Sequence, residues 1–263
     1  MSGERVAPDQ NCDNCGTRRL GPWCHLCGQH VDTAHHSVRR LSVEAIEHLA
    51  NTDGKVFQTL RWLCLRPGQL TRDYLAGHRA PQVAPLQLFF VMLVIFLLVA
   101  DQTVQVQFET PTAQQIAMMP PWIRWIMPIS ARIHAQGGDF LNLMHQSAEI
   151  FGLLTVPVAA LLLWLLFANR RLPLYDHLIF ALHSLAFQLI IAAAILLLDD
   201  LSNVSNLLII VMAVHLFLHM RGVYAGTAAG ILARMIVLGF GTLIAYSALT
   251  VAWITAAYFE LVI

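Results

Sequence analysis

The chain has 263 residues and no net charge, with 57% hydrophobic and only 12% charged side chains. Soluble domains carry about 25% charged residues, so a mean hydropathy of +0.61 points to lipid as the main solvent. Residues 1–84 hold ten of the sixteen basic residues against eight acidic ones, which excludes the one-signed basic footprint that nucleic-acid binding needs.

Residues 1–11 are expected to be a flexible tail. No secretory signal is expected, because the first long apolar run begins near Leu86, far beyond the roughly 15–30 residues of a signal peptide. Residues 12–30 carry Cys12, Cys15, Cys24 and Cys27 as two CxxC pairs. Such pairs place two thiolates each on one ion, and zinc takes four ligands tetrahedrally. Gly16 and Gly28 follow the pairs and allow a positive φ behind the second ligand, while Gly21 and Pro22 help reverse the chain. A segment this short has too little core to fold alone, so a structural Zn(2+) is expected to supply its folding energy. With four cysteines available, His25 and His30 are read as bystanders. A redox dithiol would need a βαβ context, which the pattern lacks. The fifth cysteine, Cys64, is expected to pack as a small hydrophobe.

Residues 41–84 read as an amphipathic juxtamembrane helical segment. Val43, Ile46 and Leu49, then Val56, Phe57, Leu60, Leu63 and Cys64, recur at helical spacing. Asn51 to Gly54 should divide it, and Arg66-Pro67-Gly68 should end its second piece. Two readings stand: an interfacial helix anchored by Trp62 and the arginines, or a small soluble hairpin.

Residues 85–263 read as a transmembrane bundle, so the fold class is an all-α membrane protein of about five spans with a small N-terminal cytoplasmic zinc-ribbon-like head. Spanning needs about 17–25 apolar residues. The expected spans are 85–100, 148–168 (with Pro157 inside), 178–198, 204–220 and 231–259. Between the first two, Pro120 to His134 holds Trp122 and Trp125 and suits the outer membrane interface. Gly239, Gly241, Ala245, Ser247, Ala248, Ala252 and Ala256 give the last span a small-residue face, for packing within the chain or for a second copy. No internal repeat is visible. Arg61, Arg66, Arg72 and Arg79, then Arg170 and Arg171, then Arg221 and Arg234 fall on one side of these spans. The positive-inside rule therefore places the N-terminus in the cytoplasm and the C-terminus outside.

CDNCG…WCHLCGQ followed by TLRWLCLRPGQLTRDYLAGHRAPQVAPLQLFF resembles a family of uncharacterised bacterial integral membrane proteins with an N-terminal zinc-ribbon-like motif. Leu178 to Ile190 and Arg221 to Gly226 resemble its later signatures. The resemblance implies a bacterial inner membrane and carries no activity. The family pattern places a second histidine shortly after His183; Ser184, Leu185 and Ala186 stand there instead.

His183, His215 and His219 lie inside expected spans, and ionisable residues there are functional candidates by default. His183 and His215 fall at similar depth, and His215 and His219 share a helix face. Three readings follow: interhelical hydrogen bonding, a metal or proton site for transport, or an intramembrane metalloenzyme. No H-E-x-x-H or G-x-S-x-G occurs, so a non-enzymatic protein is expected, whose head docks a cytoplasmic partner or packs on the bundle. Thr17 to Leu20 and Trp23 are the head's expected contact residues. A small transporter using the three histidines is the alternative.

Overall fold

The computed structural model describes residues 11–30, 54–103, 137–198 and 202–262, with positions 114 and 118. The expectations for residues 1–10, for 41–53 and for the Pro120–His134 loop lie outside these. Among the described residues the chain forms seven α-helices: α1 (Lys55–Leu65), α2 (Pro67–Leu75), α3 (Pro85–Thr103), α4 (Gly137–Leu166), α5 (Leu174–Leu197), α6 (Ser202–Tyr224) and α7 (Ala228–Val262). A 3-10 turn, Ala168–Arg170, joins α4 to α5.

Four helices are long and apolar enough to cross a membrane: α3, α5, α6 and α7. The remaining expected span falls in α4, where the described apolar stretch Gly152–Leu166 is shorter and Pro157 is interior. The chain is thus an all-helical membrane protein with a cysteine-rich N-terminal head.

α5 is the hub. Its Phe180 and Ala181 join a core with α4, α6 and α7 around Leu163, Phe167, Met220 and Ile231. Tyr175, Ile179 and Leu182 meet Tyr74, Phe89, Leu93 and Val156. Ala186 and Phe187 meet Leu63, Leu70, Val83 and Leu88. A helix packed on all sides is apolar all round, which is how its sequence reads.

Arg66-Pro67-Gly68 does end α1, and Pro67 then opens α2 at its first position, where the missing N–H costs nothing. The two short helices are built into the bundle. Gly68 makes this possible: a Cβ added there would lie 2.8 Å from the Cα of Gly222 on α6, and the reverse holds for Gly222. Gly68→Val is therefore expected to push α2 off α6 at a cost of about 1–3 kcal/mol, typical of overpacking. The unfolding temperature in detergent reads this out. Gly239→Ala is the control, since a Cβ there meets nothing within 4 Å.

One expectation needs correction. Cys64 is exposed: α1 buries Thr59 and Leu63, four residues apart, and the next residue lies about 100° round the helix. The small-residue face of α7 packs only locally. Gly241 faces Leu162 of α4, whereas Ser247, Ala248 and Ala252 are exposed.

At one end of the bundle, arginines meet the last carbonyls of the helices. Arg72 donates to the Gly222 carbonyl and Arg170 to that of Ala225. Arg234 Nε donates to the Leu166 carbonyl at 3.2 Å. Guanidinium groups there satisfy carbonyls with no helical partner and oppose the negative end of the helix dipole.

Candidate functional site

The head consists of two copies of one hook. In the first, the Cys12 amide donates to the Thr17 carbonyl at 2.9 Å and the Gly16 amide to the Cys12 carbonyl at 2.8 Å. In the second, the Cys24 amide donates to Gln29 and the Gly28 amide to Cys24, both at 2.9 Å. Gly16 and Gly28 take φ of 71° and 72°, the left-handed region that favours glycine. Bridges Asn11–Arg18 and Trp23–His30 close the hooks. The copies are a structural repeat that shares too few letters to show as a sequence repeat.

The hooks bring all four Sγ atoms within 4.8 Å of one another. Cys12 and Cys27 lie 3.6 Å apart, and Cys15 and Cys24 3.5 Å. Sulfurs around a tetrahedral ion with bonds of about 2.3 Å would stand about 3.8 Å apart. A disulfide needs about 2.05 Å, and all four cysteines are free. The donor set fits one metal ion. The Thr17 hydroxyl, followed by its backbone amide, holds the Cys15 thiol down at about 6. Backbone amides of Cys27 and Leu26 lower Cys24. Burial pushes Cys27 up to about 11. Since the thiolate is the ligand, part of the set is prepared for a cation and part must lose protons to one.

Among the described residues this is the one group of three or more metal-ligating side chains arranged for an ion. His30 is not a ligand: its ring stands edge-on to Trp23 with centroids 4.5 Å apart. Arg19, expected as an exposed contact residue, is buried. It donates to the Asn11 carbonyl at 2.8 Å and pairs with Asp13 at 3.3 Å, so it braces the first hook. Leu20, Trp23 and Leu26 are exposed, at 78%, 57% and 68%.

The Gln29 side chain of the head reaches the bundle. Gln29 Nε2 donates to the Gly77 carbonyl at 2.7 Å, and its Oε1 accepts the amides of Arg79 at 3.2 Å and Ala80 at 3.0 Å. The opposite amide orientation would set NH2 against two N–H groups, so the network fixes it. Arg79 continues inward. Its guanidinium donates to the Tyr74 carbonyl, approaches the Tyr175 hydroxyl, and lies 4.7 Å from the Tyr74 ring centroid.

The three intramembrane histidines sit just beyond, and each bonds across elements. Thr71 Oγ1 of α2 lies 3.0 Å from His183 Nδ1 of α5 and 2.8 Å from His219 Nε2 of α6. A hydroxyl has one hydrogen, so it cannot donate to both rings, and at least one histidine presents N–H to it. His215 Nε2 donates to the Leu63 carbonyl at 2.8 Å. That carbonyl would ordinarily accept the amide four residues on, but residue 67 is proline and has none; the imidazole fills the gap. Phe180 stacks on His219 and Phe187 on His215, with centroids 4.1 and 3.4 Å apart. His215 and His219 share a helix face yet reach separate partners. His183 Nε2 and His219 Nδ1 are buried with no hydrogen-bond partner. Thr71 escapes a sequence reading because it looks like an ordinary polar position in a juxtamembrane helix. Its periodicity with Leu63, Leu70 and Tyr74 is the signal that places it inward.

A cavity of about 260 Å³ lies among α4, α5, α6 and α7. Several polar groups on its wall are already engaged: Tyr246 with Thr155, Gln188 with Ser184, and Thr242 with the Gly239 carbonyl.

The fold and the cysteine cluster define a helical membrane protein with a metal-site head. Residues 53–97 match the model of a family described as "Protein of unknown function (DUF3667)". That stretch contains α1, α2 and most of α3, and with them Leu63, Pro67, Gly68, Thr71 and the turn that Gln29 grips. No curated protein and no solved structure matches the chain.

Proposed function

We propose that the protein is a non-enzymatic integral membrane protein of a bacterial inner membrane, whose zinc-folded head is held on the cytoplasmic end of the bundle and docks a cytoplasmic protein partner. The observation that carries this reading is the closed four-thiol cluster of Cys12, Cys15, Cys24 and Cys27. Four protein ligands leave no open position for substrate, the mark of a structural rather than a catalytic site, and a tetrahedral all-sulfur set suits zinc. The arginines gathered at the head-side end of the bundle support a cytoplasmic head by the positive-inside rule, which leaves the C-terminus outside. The exposed Leu20, Trp23 and Leu26 are the surface offered to the partner. Neither nucleic acid nor a catalysed reaction is part of this reading.

The test is metal content per chain on detergent-purified protein. One zinc is expected, and none when Cys12, Cys15, Cys24 and Cys27 are all replaced by serine. In cells, a protein crosslinked to the intact head should be lost with Leu20→Asp and Trp23→Asp; its retention in both variants would count against docking at this surface.

A small transporter working through His183, His215 and His219 is the second reading. The unpartnered nitrogens of His183 and His219 favour it, since buried imidazole nitrogens normally find partners. A second metal ion that survives loss of the four cysteines would bring it forward. Unchanged metal sensitivity after replacing the three histidines with glutamine would remove it.

A further inference from the structure

We propose that Gln29 is a metal-dependent latch: it ties metal occupancy of the head to the conformation of the Gly77–Ala80 turn, and through Arg79 to the histidine end of the bundle. This rests on the reading of the four cysteines as a metal site. The Gln29 backbone belongs to the second hook, because its carbonyl accepts the Cys24 amide. The Gln29 side chain belongs to the bundle, with three hydrogen bonds to one turn. Thr17, the equivalent residue of the first hook, turns its hydroxyl to Cys15 instead. One hook is therefore braced within the head while the other is braced against the membrane domain.

The Gly77–Ala80 turn has few alternatives for these groups. Gly77 has φ of 96°, and the chain enters Pro81 directly afterwards, so the turn cannot continue as a helix and pair its amides that way. Within the turn the Arg79 amide reaches the Gly77 carbonyl at 3.0 Å; Gln29 adds a second partner to each of these two groups and accepts the Ala80 amide. From the turn, the Arg79 side chain spans to Tyr74 and Tyr175, and the Tyr74 ring meets His183 edge-on with centroids 6.0 Å apart. When the hook loses its ion it loses the fold that aims Gln29. The turn then gives up the acceptor of the Ala80 amide and the second of two donors to the Gly77 carbonyl, the Arg79 amide being the other. Linkage is reciprocal: if metal holds the turn, the turn must hold the metal by the same factor.

The experiment uses full-length protein in detergent and zinc itself as the probe. Amide hydrogen exchange over residues 77–84 is followed with zinc bound and after chelation, and zinc affinity is measured by chelator competition. In the native chain, chelation should raise exchange at this turn. Gln29→Ala should raise it with zinc still bound, make it insensitive to chelation, and weaken zinc affinity by about tenfold, as expected for a few partly exposed hydrogen bonds. Gln29→Glu is the second variant. It keeps the side-chain length and an acceptor for both amides but sets a carboxylate oxygen against the Gly77 carbonyl, so it should fall on the same side as alanine. A chain that binds one zinc through its cysteines yet shows the same exchange with and without metal overturns the latch alone. So does native zinc affinity in Gln29→Ala. A chain that takes up no zinc overturns the metal-head reading, and the latch with it.

Discussion

Cys24→Ser is expected to empty the head of metal and open residues 11–30 to protease while the helical bundle stays folded. Structural zinc contributes about 10–16 kcal/mol of apparent binding free energy in small tetrathiolate or mixed sites, and the hooks have little else to replace it. Their buried apolar side chains amount to Cys12 and Cys24 themselves. Serine keeps the size but not the thiolate, so affinity should fall by several orders of magnitude, measured as zinc per chain after dialysis against a weak chelator. The pH dependence has a definite sign. Cys27, pushed up to about 11, enters the site protonated at neutral pH and must release its proton to the metal. Cys15, held at about 6, has largely done so above pH 7. Affinity must therefore rise with pH, by at least about tenfold per unit between pH 7 and 9 for the Cys27 proton alone. An affinity flat over that window would mean that Cys27 enters the site without a proton to release.

Thr71→Val should be the most damaging single change inside the bundle that leaves its shape intact. It removes both hydrogen bonds at the histidine node and leaves His183 and His219, each fully buried, with neither ring nitrogen engaged. Interhelical hydrogen bonds in membranes average about 0.6 kcal/mol, reaching about 1.7, whereas an orphaned buried polar group costs about 1–3 kcal/mol. Two orphaned rings place the loss at about 2–4 kcal/mol, a drop of many degrees in the unfolding temperature in detergent. Thr71→Ser keeps the hydroxyl and should recover most of it. Full stability in Thr71→Val, with loss confined to Thr71→Ser, would show that the methyl group and not the hydroxyl matters at this position.

The legible parts of this protein were those whose physics is local. CxxC spacing and the glycine behind each pair describe a hook without reference to anything distant, and apolar runs report spanning helices by length alone. What escaped depends on partners far along the chain. Gly68 reads as a helix stop until Gly222 is seen against it. Arg19 looks like a surface charge until the Asn11 carbonyl and Asp13 close around it. His215 looks like a ligand until the carbonyl left bare by Pro67 is found beside it. Cys64 fits the apolar period of α1 but sits one position past Leu63, the residue that packs with Leu70, Ala186 and Phe187.

The node at Thr71 also dictates an order of assembly. Its two partners lie 112 and 148 residues downstream, so α2 is made long before anything exists to receive it. While α3 and α4 are inserting, Pro67–Leu75 has its glycine face and its hydroxyl uncovered, and only the arrival of α5 and then α6 closes over them. The bundle is therefore complete on its head side only once α6 has been made. A chain truncated before Ser202 would leave the earliest helical hairpin without its seat, which makes that hairpin a natural report on whether the later spans have inserted.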